Sequence, residues 1–156
     1  MRVQICAVGR LRTGPERALI DDYLTRFDRT GRALALGPAA VIEVDDRKGG
    51  GMQGEAALLR RAIPAGALMC SLDERGTVMS SPEFAAKLGQ WRDGGRSDLS
   101  FVIGGADGID PELRKDAGFS LSFGKMVWPH MLVRVMLAEQ LYRAASILSG
   151  GPYHRE

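Results

Sequence analysis

Short apolar runs alternate with longer segments of mixed polarity along the whole chain. Each run has five or six residues and is bounded by Gly, Pro or charged residues, as in a buried strand. The predicted strands are Val3–Val8, Ala39–Val44, Ala67–Leu72, Leu99–Ile103 and Phe119–Phe123. The predicted helices are Pro15–Phe27, Glu55–Ile63, a segment from Ser80 or Ser81 to about Trp91, a turn after Asp110, and Met131–Ser149. This alternation predicts an α/β fold with a mainly parallel sheet covered by helices on both faces.

The start of the third helix has two interpretations. Ser80 and Glu83 have the spacing of a capping box, whereas Ser81 would cap a helix whose first residue is Pro82. The residue types alone leave both open. Asp110 before Pro111 is a clearer signal, because a carboxylate cap followed by proline suits the first turn of a helix.

The last predicted helix is apolar on more than one side. Its apolar residues wrap well beyond one stripe, so more than one surface must bury it. One is the sheet, and the second is expected to be another subunit. Its polar residues include Glu139 and Arg143, four positions apart, which is the spacing of a surface ion pair as well as of a catalytic contact.

Composition narrows the class of protein without choosing a function. The 156 residues suffice for one domain with its own core, and the net charge of +2 allows a polyanionic partner without requiring one. Cys6 and Cys70 each lie in an apolar run and suit a reducing compartment. The N-terminal residues lack the pattern of a signal peptide, and no segment is apolar enough to span a membrane. We expect a cytoplasmic, soluble protein.

Three strand ends carry candidate chemistry. In parallel α/β sheets ligands bind beyond the carboxyl ends of the strands, and here those ends are Leu72-Asp73, Ile103-Gly104-Gly105 and Phe123–Pro129. Glycines after a strand let a ligand approach the backbone, although they also serve simple turns. The dinucleotide fingerprint, the phosphate-binding lysine motif and a hydrolytic triad are all missing. His130 and His154 alone make a metal site improbable.

The C-terminal residues are aromatic and ionisable. Tyr153 offers a stacking face, His154 an imidazole that can accept or donate a proton, and Arg155 suits a phosphate, so together they fit an RNA nucleotide. A solvated tail is the alternative on composition alone.

These motifs together resemble the RlmH family of SPOUT-class methyltransferases, which act on a pseudouridine of 23S ribosomal RNA. The resemblance extends over essentially the whole chain. Its most specific parts are Pro129-His130 and the terminal run from Pro152 to Glu156, and it also includes the segments Val102–Gly105, Leu121–Phe123, Met131–Val135 and Ala138–Ala144.

The resemblance implies a C-terminal trefoil knot that holds S-adenosylmethionine, with no metal. It assigns the cofactor to three loops, namely Leu72, the pair Gly104 and Gly105, and the run Phe123, Gly124, Lys125, Met126, Val127, Trp128 and Pro129. It also implies a homodimer in which the partner completes each site, and a substrate presented by the ribosome. Two departures stand out: Met126 replaces a threonine usual in relatives, and Ala106-Asp107 replaces Pro-Glu in the glycine loop.

The reaction implied is methyl transfer to N3 of pseudouridine, which must lose its proton. The hypothesis is that His154 takes or relays that proton while Tyr153 and Arg155 hold the nucleotide, with Glu139 and Arg143 in reserve. A phosphate-contacting surface is expected from Arg10, Arg12, Arg47, Lys48, Arg134 and Arg143. The alternatives are a non-catalytic ribosome-assembly factor that keeps the knot and, less favoured in so short a chain, a transfer-RNA methyltransferase.

Overall fold

The computed structural model describes residues 1–45, 47 and 49–155, so Lys48 and Glu156 of the motifs above lie outside the described residues. Strands and helices alternate along the chain. The strands are β1 (Arg2–Val8), β2 (Ala39–Val44), β3 (Leu68–Val78), β4 (Asp98–Ile103) and β5 (Phe119–Ser122). The helices are α1 (Pro15–Gly31), α2 (Gly51–Ala62), α3 (Ser81–Asp93), α4 (Pro111–Asp116) and α5 (His130–Ser149), with a short 3₁₀ turn at Arg32–Leu34.

All five strands form one parallel sheet in the order β2-β1-β4-β3-β5. Every residue of β4, the central strand, is buried, because helices cover both faces. Helices α1, α3 and α5 pack on one face around Phe27 and Phe101, which are fully buried. Helices α2 and α4 pack on the other face through Leu59 and Leu113. The predicted fold class is confirmed.

Most predicted element bounds agree with the structure within a few residues. Helix α3 begins with the capping box: Ser80 Oγ accepts from Glu83 N at 3.3 Å, and Glu83 Oε2 accepts from Ser80 N at 2.7 Å. Asp110 caps α4 as expected. Helix α2 begins at Gly51, earlier than predicted, after Gly50 adopts a left-handed conformation with φ of 89°.

Strand β3 is longer than predicted, because its chain leaves the sheet and returns. Leu72 pairs with Leu121 of β5, and Thr77 pairs with the same residue, so residues 73–76 form a bulge between them. Gly76 lies against β5, where a Cβ atom would be 2.7 Å from Ser120 O. The bulge places residues 73–76 beside the carboxyl end of the sheet.

The guanidinium of Arg134 is buried between α5 and the end of β1. Its Nη2 donates to Val8 O at 2.6 Å and to Gly9 O at 2.9 Å, and its Nη1 donates to Glu43 Oε2 at 3.1 Å. The side chain is 1% exposed, so the expectation that Arg134 contacts RNA phosphates is wrong. Arg134 lies on the side of α5 that faces the strand ends. The buried carbonyl groups there need hydrogen-bond donors, and the guanidinium supplies them.

Replacing Arg134 with alanine should destabilise the fold strongly. The change removes the guanidinium from the carbonyl oxygens of Val8 and Gly9 and from Glu43 Oε2, which keeps its bond from Leu11 N. Each buried acceptor that is left unpaired costs about 1–3 kcal/mol. Urea denaturation of the purified protein measures the loss of unfolding free energy. Arg12→Ala, at an exposed arginine, is the matched control and should change it by less than about 0.5 kcal/mol. Equal effects of the two changes would contradict a structural role for Arg134.

Candidate active site

A cleft of about 640 Å³ opens beyond the carboxyl ends of β3, β4 and β5. Nine of the ten residues predicted to bind a cofactor line it: Leu72, Gly104, Gly105, Phe123, Gly124, Met126, Val127, Trp128 and Pro129. Lys125, the tenth, is exposed on the same loop and does not line the cleft. The parallel arrangement brings these distant segments together, because parallel strands end at the same edge of the sheet.

The glycine loop after β4 is tightly closed on itself. Gly108 N donates to Gly105 O at 3.0 Å, and a Cβ atom on Gly104 would overlap the Gly108 backbone and lie 2.8 Å from Ile109 N. A Cβ atom on Gly105 would lie 3.2 Å from both Glu55 Oε1 and Val8 Cγ1. Gly104 therefore cannot carry a side chain without moving the loop, so this turn leaves backbone groups directly accessible from the cleft.

Ser122 fixes the start of the loop between β5 and α5. The residue is 3% exposed, and its hydroxyl oxygen accepts a hydrogen bond from Gly124 N at 3.0 Å. The same oxygen lies 3.1 Å from Glu74 O and 3.0 Å from Gly124 O, so its single proton is donated to one of these carbonyl groups. Sequence reasoning missed this residue, since a serine at a strand end carries no signal for contacts made across the sheet.

Asp73 organises the bulge of β3, at the side of the cleft. Its Oδ1 accepts from Arg75 N and Arg75 Nε, both at 2.9 Å, and its Oδ2 lies 3.4 Å from Arg114 Nη1 on α4. The Arg75 side chain, through its hydrogen bonds, lowers the pKa of Asp73 to about 2. Asp73 thus joins the bulge to α4, which follows the glycine loop.

The cleft carries more negative than positive side chains. Asp73, Glu74 and Asp107 line it with Arg75 as the only lysine or arginine among the lining residues. Asp73 forms ion pairs with Arg75 at 2.9 Å and with Arg114, which lies outside the lining, at 3.4 Å, so the charges of these side chains sum to a small negative excess. Such a cleft favours a positively charged ligand over a phosphate.

The C-terminal residues pack on α5 of their own chain. Tyr153 Oη donates to Glu139 Oε1 at 3.0 Å, and its ring lies 4.5 Å from the ring of Tyr142 and 4.7 Å from the guanidinium of Arg143. Burial, together with the hydrogen bond to Glu139, raises the pKa of Tyr153. Tyr153 and His154 are therefore docked rather than solvated, and Arg155 is exposed.

Glu139 is the centre of this cluster. It accepts from Arg143 Nε at 2.9 Å and from Gln140 Nε2 at 2.9 Å, besides the bond from Tyr153. Arg143 in turn places Nη1 3.3 Å from His154 Nδ1. A guanidinium only donates, so this contact assigns the acceptor role to Nδ1 and the ring proton to Nε2 of His154.

The predicted catalytic and cofactor residues are not brought together within one chain. Tyr153, His154 and Arg155 do not line the cleft that holds Gly104 and the Phe123–Pro129 loop. The tail cluster instead borders a second, mainly apolar groove of about 440 Å³ through Glu139. Side chains of α1, α3 and α5 line this groove, including Leu19, Tyr23, Phe84, Val135 and Met136.

The remaining arginines of the predicted phosphate surface differ in availability. Arg10 and Arg12 are exposed in the loop after β1. The side chain of Arg47 is 77% exposed and forms an ion pair with Asp45. The side chain of Arg143 is 25% exposed and forms an ion pair with Glu139. The loop after β1 therefore offers the more available cations of this set.

Within the residues 1–45, 47 and 49–155, no group of three or more His, Cys, Asp or Glu side chains is placed to hold a metal ion. None of the helices described has both the length and the apolar character needed to cross a membrane.

Comparison with known proteins identifies the family. The family model described as "Predicted SPOUT methyltransferase" matches residues 1–154. The chain belongs to the SPOUT methyltransferase family. Within it, the proteins named ribosomal RNA large subunit methyltransferase H from Ruegeria sp. (strain TM1040) and Roseobacter denitrificans are 74% and 75% identical over 155 residues, 99% of each chain. The resemblance to the RlmH family inferred from the motifs is confirmed.

Comparison with solved structures agrees on the fold. The structure of a probable methylase family protein from Haemophilus influenzae Rd KW20 superposes with a TM-score of 0.55 at 11% sequence identity. The alignment covers 99% of this chain and 70% of that chain. At so low an identity the likeness shows a shared fold and nothing about substrate.

Replacing Asp73 with asparagine should lower stability in a pH-dependent way. The folded-state pKa of about 2 lies below the ordinary value, so the carboxylate stabilises the folded state above about pH 4. That contribution, about 1–2 kcal/mol, is lost as the pH falls through the folded-state pKa. Urea denaturation of both proteins at pH 7 and near pH 2 should show the difference shrinking. A difference independent of pH would contradict the electrostatic cause, and Asp107→Asn, at an exposed cleft carboxylate, is the control.

Proposed function

We propose that this protein transfers a methyl group from S-adenosylmethionine to N3 of a pseudouridine in 23S ribosomal RNA within the ribosome. The observation that carries the proposal is identity of about three quarters, over 99% of the chain, to proteins named ribosomal RNA large subunit methyltransferase H. The cleft, which gathers nine of the predicted cofactor residues, supports it independently. A ribosomal substrate would make the cytoplasm the site of action.

The cleft fits the cofactor by shape and charge. The glycine loop at Gly104, the backbone at Leu72 and the Phe123–Pro129 loop would hold S-adenosylmethionine, and the carboxylates of Glu74 and Asp107 in the lining suit its positive charge. When bound, the cofactor supplies an electrophilic methyl group on a positively charged sulfur, so we assign no metal. The resemblance also implies a trefoil knot around this cleft. That knot stays a prediction.

His154 is the proposed group that takes or relays the N3 proton. Its Nδ1 faces Arg143 at 3.3 Å, so the imidazole must leave this contact before Nδ1 can accept a proton from a substrate. Arg155 and Tyr153 would then hold the nucleotide and stabilise the imide anion by hydrogen bonds and charge. Release of the tail from Glu139 and Arg143 is therefore part of the proposed mechanism.

We further propose that the protein acts as a homodimer. The tail does not line its own cleft, and the apolar groove beside it is lined by α1, α3 and α5, including the exposed side chain of Leu19. A second subunit that covers this groove would bury the extra apolar side of α5 and bring its own His154 toward the cleft.

Methyl transfer to ribosomes tests the reaction. Radiolabelled S-adenosylmethionine is incubated with ribosomes from a strain that lacks this gene, and the labelled nucleotide is identified by mass spectrometry. Label in one methylated pseudouridine of 23S RNA is expected, and His154→Ala should lower the rate by about 10²–10⁴ with cofactor affinity unchanged. Cofactor binding without transfer of label would contradict this substrate.

Neither cofactor binding nor transfer of label would favour the non-catalytic assembly factor. A loss below tenfold would remove His154 from proton transfer.

Mixed dimers test whether the tail acts in the partner's site. Gly104→Ala should inactivate the cleft, and His154→Ala should inactivate the tail, so each homodimer is expected to be inactive. If the tail acts across the dimer, a tagged heterodimer of the two variants has one intact site and should recover about half of the wild-type rate. If the tail acts in its own chain, the heterodimer has no intact site and stays inactive. Size-exclusion chromatography of each preparation controls for assembly.

A further inference from the structure

The two tryptophans of the chain have different environments. Trp91 on α3 packs edge-on against Phe119, with ring centroids 5.4 Å apart, and Lys87 Nζ lies 5.8 Å from its ring. Trp128 lines the cleft and is 40% exposed. Among the residues that the structure describes, Trp128 has no aromatic ring or cation at stacking distance. Its indole is therefore partly exposed at the cleft, without a ring or cation of the described residues stacked on it.

The backbone around Trp128 restricts where the indole can lie. Pro129 follows it directly as the N-cap of α5, with φ of −54° and ψ of 134°, and a residue before proline is confined to extended conformations. Helix α5 is anchored in turn by the buried Arg134. The backbone that carries the indole is thus restricted on its C-terminal side.

Trp128 belongs to the outer part of the cleft. Its neighbours Met126 and Val127 are 72% and 81% exposed, whereas Gly104 at the end of β4 is buried. A ligand held by the glycine loop therefore occupies the inner part, and a second, larger ligand would meet the indole first.

The charge of the cleft selects the part of an RNA that can bind there. The carboxylates of Asp73, Glu74 and Asp107 outnumber Arg75 among the lining side chains, whereas an indole face accepts the π surface of any nucleobase without a charge. The contact that suits RNA at this position is therefore with a base, and the backbone is left to the exposed arginines outside the cleft.

We propose that the Trp128 side chain stacks on a nucleobase of the RNA substrate and so positions it at the mouth of the cleft. This inference rests on the proposed function. In this proposal the indole binds the RNA, whereas the backbone of the same loop would hold the cofactor. Trp128 is then a substrate-positioning residue whose side chain affects RNA binding and leaves cofactor binding unchanged.

Kinetics with ribosomes from the strain that lacks the gene test the role of the aromatic face. Trp128→Leu keeps an apolar side chain and removes the face, and Trp128→Phe keeps a face. Because stacking of one base is worth about 5- to 150-fold in affinity, Trp128→Leu should raise KM for ribosomes at least about fivefold, and Trp128→Phe should recover most of the loss. Calorimetry should show the Kd for S-adenosylmethionine unchanged within about twofold in both variants.

Fluorescence of the Trp91→Phe protein tests the contact itself, since Trp128 is then its sole tryptophan. A short RNA hairpin that contains pseudouridine should quench the emission in a saturable way, and S-adenosylmethionine alone should not. Quenching by the cofactor alone, with a matching loss of cofactor affinity in Trp128→Leu, would overturn the proposal by placing the indole on the cofactor's adenine. Unchanged KM and unchanged emission would also overturn it.

The two proposals can fail separately. If wild-type protein methylates no ribosomal RNA, the proposed function fails. The hairpin titration then still tests whether Trp128 stacks on a base. If wild-type protein methylates ribosomes and Trp128→Leu has the same KM, only the stacking proposal fails.

Discussion

The buried guanidinium of Arg134 connects the C-terminal helix to the part of the sheet where the candidate site lies. It donates to the carbonyl groups of Val8 and Gly9 and to the carboxylate of Glu43, so one side chain joins α5, the end of β1 and β2. Helix α5 begins where the Phe123–Pro129 loop ends, and that loop closes one side of the cleft. Since a charge buried this deeply has little freedom to move, the interaction also holds the loop in place.

The cleft depends on a second set of constraints, made by small or hydrogen-bonded residues at strand ends. Gly104 has no room for a side chain, and Ser122 joins the loop after β5 to the bulge of β3. Asp73 joins the same bulge to α4. Each segment at the carboxyl edge is therefore held by its neighbour, which gives a binding surface that exists before any ligand arrives.

The cleft and the C-terminal cluster lie in different parts of the described structure. The lining of the cleft has more carboxylates than arginines, and Arg10, Arg12 and Arg155 are exposed outside it. The tail cluster around Glu139 holds His154 on α5, away from its own cleft. In the proposed homodimer, the tail of one subunit would meet the cleft of the other. Docking of the tail on α5 gives Tyr153 a hydrogen bond to Glu139 and places His154 Nδ1 beside Arg143.

Local patterns determined most of the elements and the segments of the site. Five apolar runs predicted five strands, the Ser80 and Glu83 pair predicted a capping box, and the glycines after β4 predicted a ligand loop, because each signal lies within a few neighbouring residues. The motif at Pro129-His130 and the C-terminal run likewise identified the family, and a relative that is 74% identical over 99% of the chain carries that family's name.

Only the tertiary structure decided which distant residues meet. Arg134 and Glu43 are 91 positions apart, and nothing in either neighbourhood distinguishes a buried anchor from a surface arginine. The strand order β2-β1-β4-β3-β5, the bulge at residues 73–76 and the docking of the tail on α5 arise in the same way. They depend on pairing and packing between segments far apart in the chain, and residue spacing carries no information on those distances.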